Sequence, residues 1–202
     1  MKVLILSGSR NREGQTARII KAVQKGLASA KAESEVIFLI EKKIERCRMC
    51  EADGWGICRR ESRCIIEDDL QGIIDKLKAS DAVVFANPVY FFDLSESMRS
   101  FLDRYRRTLF KPGKAPAPGF GIGGGTPAIG ICYAGGSGNG TASATFNLER
   151  ILQTCGLDIV DMINVRRQNI ETKLPQLELV GKWLATKPTS GPWPPPPPPA
   201  KK

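Results

Sequence analysis

Residues 2–16, KVLILSGSRNREGQT, join a short apolar run to a loop of small and polar residues. A continuous apolar run of this length, β-branched in part, is typical of a strand buried in a parallel sheet. The next segment, 15–30, predicts a helix because its apolar residues recur at helical spacing: Ile19, Ile20, Val23 and Leu27. The stretch therefore predicts a strand, a loop and a helix, the first unit of an α/β fold.

The alternation of apolar runs and amphipathic segments continues along the chain. The pattern predicts further strands at 34–40, 81–90, 127–134 and 157–165, and helices at 67–80, 95–107, 141–155 and 172–186. Strands and helices that alternate with short connections form a parallel sheet covered by helices on both faces. Five strands suit the flavodoxin-like doubly wound order 2-1-3-4-5.

The length of 202 residues is enough for one domain with a full core. We assign residues 1–186 to this domain, with a Cys-rich loop at 44–66 inserted after the second strand. Residues 187–202, which end in GPWPPPPPPAKK, have the composition of an extended polyproline segment. We expect them to form a disordered tail.

The formal charge is +9 and the chain contains no histidine. The charge suits an anionic partner, such as a phosphorylated cofactor, an acidic electron carrier or nucleic acid, or else only a solvated basic surface. Without imidazole, any metal must be bound by thiolates or carboxylates. The first apolar run is too short for a signal peptide and no run is long enough to span a bilayer, so we expect a cytoplasmic protein without a membrane partner.

Three loops follow strands one, three and four, and they should meet at the carboxyl edge of the sheet, where ligands bind in this fold. SGSRNREGQT (7–16) offers hydroxyl groups and a helix N-terminus to a phosphate. ANPVYFFDLSES (86–97) carries consecutive aromatic residues that could flank a planar ring. AGGSGNG (134–140) lets the backbone approach a ligand closely. A flat ring with one phosphate, such as FMN, fits all three loops.

Four of the six cysteines lie within ERCRMCEADGWGICRRESRC (45–64), with the spacing C-x2-C-x7-C-x5-C. Clustered thiols in a reducing compartment are ligands or redox groups more often than disulfides. Such a loop can supply four thiolates to a [4Fe-4S] cluster. Zinc is an alternative, although structural zinc sites usually have two short knuckles and this loop has one. A loop of free or redox-active thiols is the third possibility, and the spacing leaves all three open for Cys47, Cys50, Cys58 and Cys64.

The chain resembles the flavodoxin-like NADPH-dependent FMN reductase superfamily and, within it, the iron–sulfur flavoproteins. The resemblance is carried by SGSRNREGQT, by a Cys-rich loop that closes on CIIEDD (64–69), by ASDAVVFANPVYF (79–91) and by SMRSFLDR (97–104). Members of that group usually have a C-x2-C-x2-C pattern before the last cysteine. Here Asp53 stands at the position of the third cysteine, so Cys58 would have to replace it.

The resemblance implies a set of cofactor-binding residues. The FMN phosphate would be held by Ser9, Arg10, Gln15 and Thr16. The flavin ring would lie along Asn87, Pro88, Val89, Tyr90 and Phe91, with Gly135 and Gly136 on its other side. The four loop cysteines would hold a [4Fe-4S] cluster, and zinc is the alternative metal.

The same resemblance implies a flavin-dependent oxidoreductase without a catalytic side chain. A ferredoxin-like one-electron donor would pass electrons through the cluster and FMN to a small-molecule acceptor. The family also implies a homodimer or homotetramer. We expect basic residues, including Arg104, Arg106 and Arg107, to dock an acidic carrier, and the arginines within the Cys-rich loop to offset the charge of its thiolates.

Two other functions remain open at this stage. The first is a cluster-free NAD(P)H-dependent FMN, quinone or azo reductase. The second is a zinc-stabilised module that binds nucleic acid through its positive charge. The basic residues form no evident base-reading motif, so we do not expect a nucleic-acid partner.

Overall fold

The computed structural model describes residues 1–109 and 125–189. Its strands are β1 (Lys2–Ser7), β2 (Glu33–Phe38), β3 (Ala82–Pro88), β4 (Pro127–Ala134) and β5 (Asp158–Arg166). Its helices are α1 (Gln15–Ser29), α2 (Ile57–Glu61), α3 (Leu70–Lys78), α4 (Glu96–Thr108), α5 (Thr141–Thr154) and α6 (Ile170–Leu184), and a 3-10 turn, Leu39–Glu41, follows β2.

The five strands form one parallel sheet in the order β2-β1-β3-β4-β5, which confirms the predicted topology. Alternate residues of the buried strands face opposite layers: Leu4 and Leu6 pack with α3, α4 and α5, whereas Val3 and Ile5 pack with α1 and α6. Burial on both faces explains why these strands are continuous apolar runs rather than alternating patterns.

Several boundaries differ from the sequence predictions. β2 ends at Phe38 and continues as a 3-10 turn, and α3 begins only at Leu70. α6 begins at Ile170 and contains Pro175, although proline suggested a later start. Pro175 is the sixth residue of α6, in its second turn, so it removes one hydrogen bond inside the helix.

The predicted tail at 187–202 lies outside the described residues from position 190 onward, so the boundary of the domain at residue 186 stays a prediction. Within the described residues, none of the helices has the length and apolar character needed to cross a membrane.

Candidate cofactor-binding sites

The loop after β1 lies directly against the end of β3 and the start of α4. The backbone N–H of Gly8 donates to the Ala86 carbonyl at 2.9 Å. A Cβ atom at Gly8 would come within 2.3 Å of Ser95 Oγ and 2.9 Å of Asn87 Oδ1. Only glycine fits this contact, which brings the first two predicted ligand-binding loops together.

The rest of this loop leads into the N-terminus of α1. Asn11 N–H donates to Ser9 Oγ at 3.2 Å, and Glu13 N–H donates to Asn11 Oδ1 at 2.8 Å. Ser9 and Thr16 are buried. In the described part of the chain, α1 has neither a side-chain cap at its N-terminus nor an acidic residue in its first turn. The helix therefore keeps backbone N–H groups available to an anion such as a phosphate.

The other two residues predicted to hold the phosphate have exposed side chains that make contacts within the protein. Arg10 Nη2 lies 3.4 Å from Glu96 Oε2. Gln15 Oε1 accepts a hydrogen bond from Arg18 Nη1 at 2.9 Å. Their part in phosphate binding stays a prediction.

Asn87 lies buried at the end of β3, and its side chain is engaged within the protein. Its Nδ2 donates to the Pro88 carbonyl at 2.8 Å, and its Oδ1 accepts from Ser95 N–H and Ser95 Oγ, both at 3.1 Å. Ser95 Oγ in turn caps α4 by accepting from Met98 N–H. Asn87 thus holds the chain reversal before α4, and its place along the flavin ring stays a prediction.

The aromatic residues after β3 form a tight turn that points into solvent. Tyr90 and Asp93 exchange two backbone hydrogen bonds of 3.0 Å each. Between them, Phe91 and Phe92 have φ angles of 48° and 66°. Positive φ at both central positions defines a type I′ turn, which strongly favours Asn-Gly. Phe91 is 100% exposed, so no packing within the described part of the chain offsets the strain of its backbone.

We expect Phe91→Gly to raise the stability of the FMN-free protein by about 1 kcal/mol, because glycine adopts a left-handed backbone without strain. The same change should weaken FMN binding if the ring lies along the flavin. Phe91→Ala is the control, since it removes the ring but keeps the Cβ atom. Urea unfolding and FMN fluorescence titration separate the two effects. Equal stability of both variants would contradict the assignment of strain to this residue.

The glycine loop after β4 meets the aromatic turn. Ser143 Oγ donates to the Phe92 carbonyl at 2.7 Å, and a Cβ atom at Gly140 would come within 2.8 Å of Phe92 Cα. Gly135 is half-buried and Gly136 is exposed with a φ angle of 42°. Residues 86–97 therefore contact both other loops, through Asn87 and Ser95 on one side and Phe92 on the other. The three predicted loops form one continuous edge.

Thr141, the first residue of α5, is a polar residue at this edge that the sequence did not single out. It is 1% exposed, and its Oγ1 has no hydrogen-bond partner among the described residues. An orphaned buried hydroxyl next to the glycine loop fits a polar ligand atom. The loops at this edge thus fit a cofactor with a phosphate, a planar ring and hydrogen-bonding heteroatoms.

The Cys-rich loop forms a second site beside α4. A single cavity is lined by all four predicted ligands, Cys47, Cys50, Cys58 and Cys64. All four are free thiols. Within residues 1–109 and 125–189, no group of three or more cysteine, aspartate, glutamate or histidine side chains is arranged to hold a metal ion. The donor set suits a thiolate-bound cluster, and the metal assignment stays a prediction.

Asp53, at the usual position of the third cysteine, belongs to a turn of this loop. Its Oδ1 accepts from Trp55 N–H at 3.0 Å and its Oδ2 from Arg59 Nη1 at 3.2 Å. Cys58 lies in α2, a five-residue helix that the sequence analysis did not predict. Burial raises the pKa of the Cys58 thiol, and the Arg107 charge partly offsets that effect.

Arg104 ties the two ends of the Cys-rich loop to α4. Its guanidinium donates to the Glu45 carbonyl at 3.0 Å, to the Ile66 carbonyl at 3.3 Å and to both carboxylate oxygens of Asp68. The Arg104 side chain is 1% exposed and that of Asp68 is 0% exposed. The expectation that Arg104 docks an acidic carrier is wrong, because its charge is buried and paired.

The loop's own arginines are mostly paired with neighbouring acids at the surface, rather than with the thiols. Arg48 pairs with Glu45, Arg59 with Asp53, Arg60 with Glu51 and Arg63 with Glu61. Arg48 is one of three arginines that line the cavity, and the other two, Arg104 and Arg107, belong to α4. Both have a buried Nε without a hydrogen-bond partner among the described residues, which fits a negatively charged sulfur ligand set.

Sequence comparison finds a matching family and several relatives. The NADPH-dependent FMN reductase family matches residues 1–170. Iron-sulfur flavoprotein MJ1083 of Methanocaldococcus jannaschii is 34% identical over 106 residues, which is 52% of each chain. An iron-sulfur flavoprotein of Archaeoglobus fulgidus is 31% identical over 104 residues, covering 52% of this chain and 45% of the relative. The chain thus spans about half the length of the curated relatives it matches.

Solved structures share the fold at low sequence identity. A flavone reductase superposes with a TM-score of 0.67 and 17% identity, covering 92% of this chain and 62% of the other. The NAD(P)H:quinone oxidoreductase from Methanothermobacter marburgensis gives a TM-score of 0.64 and 19% identity, covering 91% and 96%. These similarities support the flavodoxin-like fold.

Proposed function

Because the chain belongs to the NADPH-dependent FMN reductase family, we propose that it is a flavin-dependent oxidoreductase that carries FMN and a [4Fe-4S] cluster. The observation that carries the cluster is the single cavity lined by four free thiols and three arginines. Relatives named iron-sulfur flavoproteins support the same assignment.

FMN would occupy the carboxyl edge of the sheet. The N-terminus of α1, with the buried hydroxyl groups of Ser9 and Thr16, would hold its phosphate. The turn containing Phe91 and the loop at Gly135 and Gly136 would lie on either side of the ring. When bound, FMN supplies both one-electron and two-electron chemistry, and this chain positions the cofactor and excludes water from part of it.

The cluster would be held by Cys47, Cys50, Cys58 and Cys64, and it supplies one-electron transfer when bound. A ferredoxin-like one-electron carrier is therefore the proposed donor, and a small molecule that takes electrons from FMN is the proposed acceptor. We propose a homodimer or homotetramer, which light scattering on the purified protein would measure.

A cluster-free NAD(P)H-dependent reductase is the second candidate. One observation favours it: in the described part of the chain, no three cysteine, aspartate or glutamate side chains are arranged to hold a metal ion. This enzyme would oxidise NAD(P)H through FMN alone.

An anaerobic visible spectrum tests the proposal, with FMN, iron, zinc and acid-labile sulfide assayed on the same sample. We expect flavin bands over a broad iron–sulfur absorbance, with about four iron and about four sulfide per chain. Bound FMN with zinc, or with no metal, would overturn the cluster. Bleaching of that sample by NADPH would then support the second candidate, and absence of flavin would contradict both.

A further inference from the structure

We propose that Arg107 sets the reduction potential of the iron–sulfur group by placing an uncompensated positive charge against its thiolates. This inference rests on the proposed function, because it concerns the group that the four cysteines would bind. It assigns a tuning role to a residue of α4 that lies outside the Cys-rich loop.

The side chain of Arg107 is held in place from two sides. Its Nη1 donates to the Gly54 carbonyl at 2.7 Å, and its guanidinium carbon lies 4.7 Å from the centroid of the Trp55 ring. Its Nε is buried without a hydrogen-bond partner among the described residues. The guanidinium therefore lines the cavity in a defined orientation, with its Nε donor left for a ligand.

The three arginines that line the cavity differ in net charge. Arg48 forms an ion pair with Glu45. Arg104 forms a buried ion pair with Asp68, so the pair is close to neutral as seen from the cavity. Arg107 is partnered by a neutral carbonyl and a neutral ring, and within the described residues it forms no salt bridge. Arg107 is therefore the source of net positive charge at this cavity.

A fixed positive charge favours the reduced form of a cluster, because reduction adds one negative charge. The interaction is stronger at a partly buried site than in water, since the effective dielectric constant is lower. Hydrogen bonds to cluster sulfur atoms shift the potential in the same way. The Arg107 charge should thus make the potential more positive and let a weaker one-electron donor reduce the cluster.

The experiment is an anaerobic redox titration of the cluster in wild type, Arg107→Gln, Arg107→Lys and Arg106→Gln, followed by electron paramagnetic resonance. We expect a more negative midpoint potential in Arg107→Gln and a smaller shift in Arg107→Lys, which keeps the charge but loses the Nε donor. Arg106→Gln is the matched control. It makes the same charge change on the same helix, but Arg106 is exposed and does not line the cavity. The midpoint potential of the cluster in Arg106→Gln should therefore stay at the wild-type value.

Iron and sulfide content is measured on every sample. Full cluster content with an unchanged potential in Arg107→Gln would overturn the inference, as would an equal shift in Arg106→Gln. Loss of the cluster from both Arg107 variants would show a structural role instead and would also overturn it. A wild-type protein without iron and sulfide would contradict the proposed function itself, and the inference with it.

Discussion

Asp68→Asn is expected to lower the free energy of unfolding by about 3–5 kcal/mol, because it leaves the Arg104 guanidinium as a buried charge without its counter-ion. The two side chains are 1% and 0% exposed, and Arg104 Nη1 lies 2.5 Å from Asp68 Oδ2. A loss of this size is a large fraction of the stability of an ordinary domain, which is about 5–15 kcal/mol.

The Asp68 carboxylate also organises the Cys-rich loop. It accepts hydrogen bonds from Glu45 N–H at 2.9 Å and from Leu70 N–H at 3.1 Å. Arg104 binds the carbonyls of Glu45 and Ile66 on either side of the cysteines. Loss of the ion pair should therefore release both ends of the loop and reduce iron binding together with stability.

Urea unfolding followed by circular dichroism measures the effect. Glu35→Gln is the control, because it breaks an exposed ion pair with Lys76 and should change stability little. The paired substitution Arg104→Met with Asp68→Leu should recover only part of the loss. It removes the unpaired buried charge, but it leaves backbone groups of Glu45, Ile66 and Leu70 without their hydrogen-bond partners. Wild-type stability of Asp68→Asn alone would contradict a buried charge pair at this position.

The same pair gives a pH dependence with a definite sign. Burial raises the pKa of Asp68, but hydrogen bonds from Arg104, Glu45 and Leu70 outweigh it and hold the pKa below its ordinary value. A carboxyl group whose pKa is lowered by folding stabilises the fold fully at pH values above its unfolded-state pKa of about 3.9. This stabilisation is lost as the pH falls from that value through the folded-state pKa. Asp68→Asn should remove this part of the acid sensitivity.

Cys58→Ala is expected to reduce iron and sulfide from about four each per chain to a small fraction, because a [4Fe-4S] cluster requires a fourth thiolate. FMN content should be unchanged, since the flavin loops lie at the carboxyl edge of the sheet, on other segments. This expectation rests on the proposed cluster. It tests the unusual spacing, in which Cys58 takes the role of the third cysteine and Asp53 stands at that cysteine's usual position.

Cys155→Ala is the matched control. Cys155 is also a free thiol, but it is buried at the end of α5 and does not line the cavity. Iron, sulfide and FMN are measured on both variants after anaerobic reconstitution. Full iron and sulfide in Cys58→Ala would exclude Cys58 as a ligand and make Asp53, at the usual position of the third cysteine, the next residue to test.

Much of the fold follows from local patterns in the chain. The buried strands are apolar runs because both faces of a parallel sheet are covered. The order β2-β1-β3-β4-β5 was predicted from the number of strands, which suits the doubly wound topology. The three loops at the carboxyl edge were also predictable, because strand direction places them together. Short elements were less predictable: α2 has five residues and no periodicity of its own.

The sequence alone determined that the four cysteines form one site, since thiols close together in one loop can reach one cavity. The charges facing that cavity were decided only by the tertiary structure. Arg107 contacts Gly54, 53 positions earlier in the chain, and Arg104 pairs with Asp68, 36 positions earlier. Sequence patterning could show that α4 is basic, but only its packing against the loop determines which arginine is paired, which is exposed and which faces the thiols.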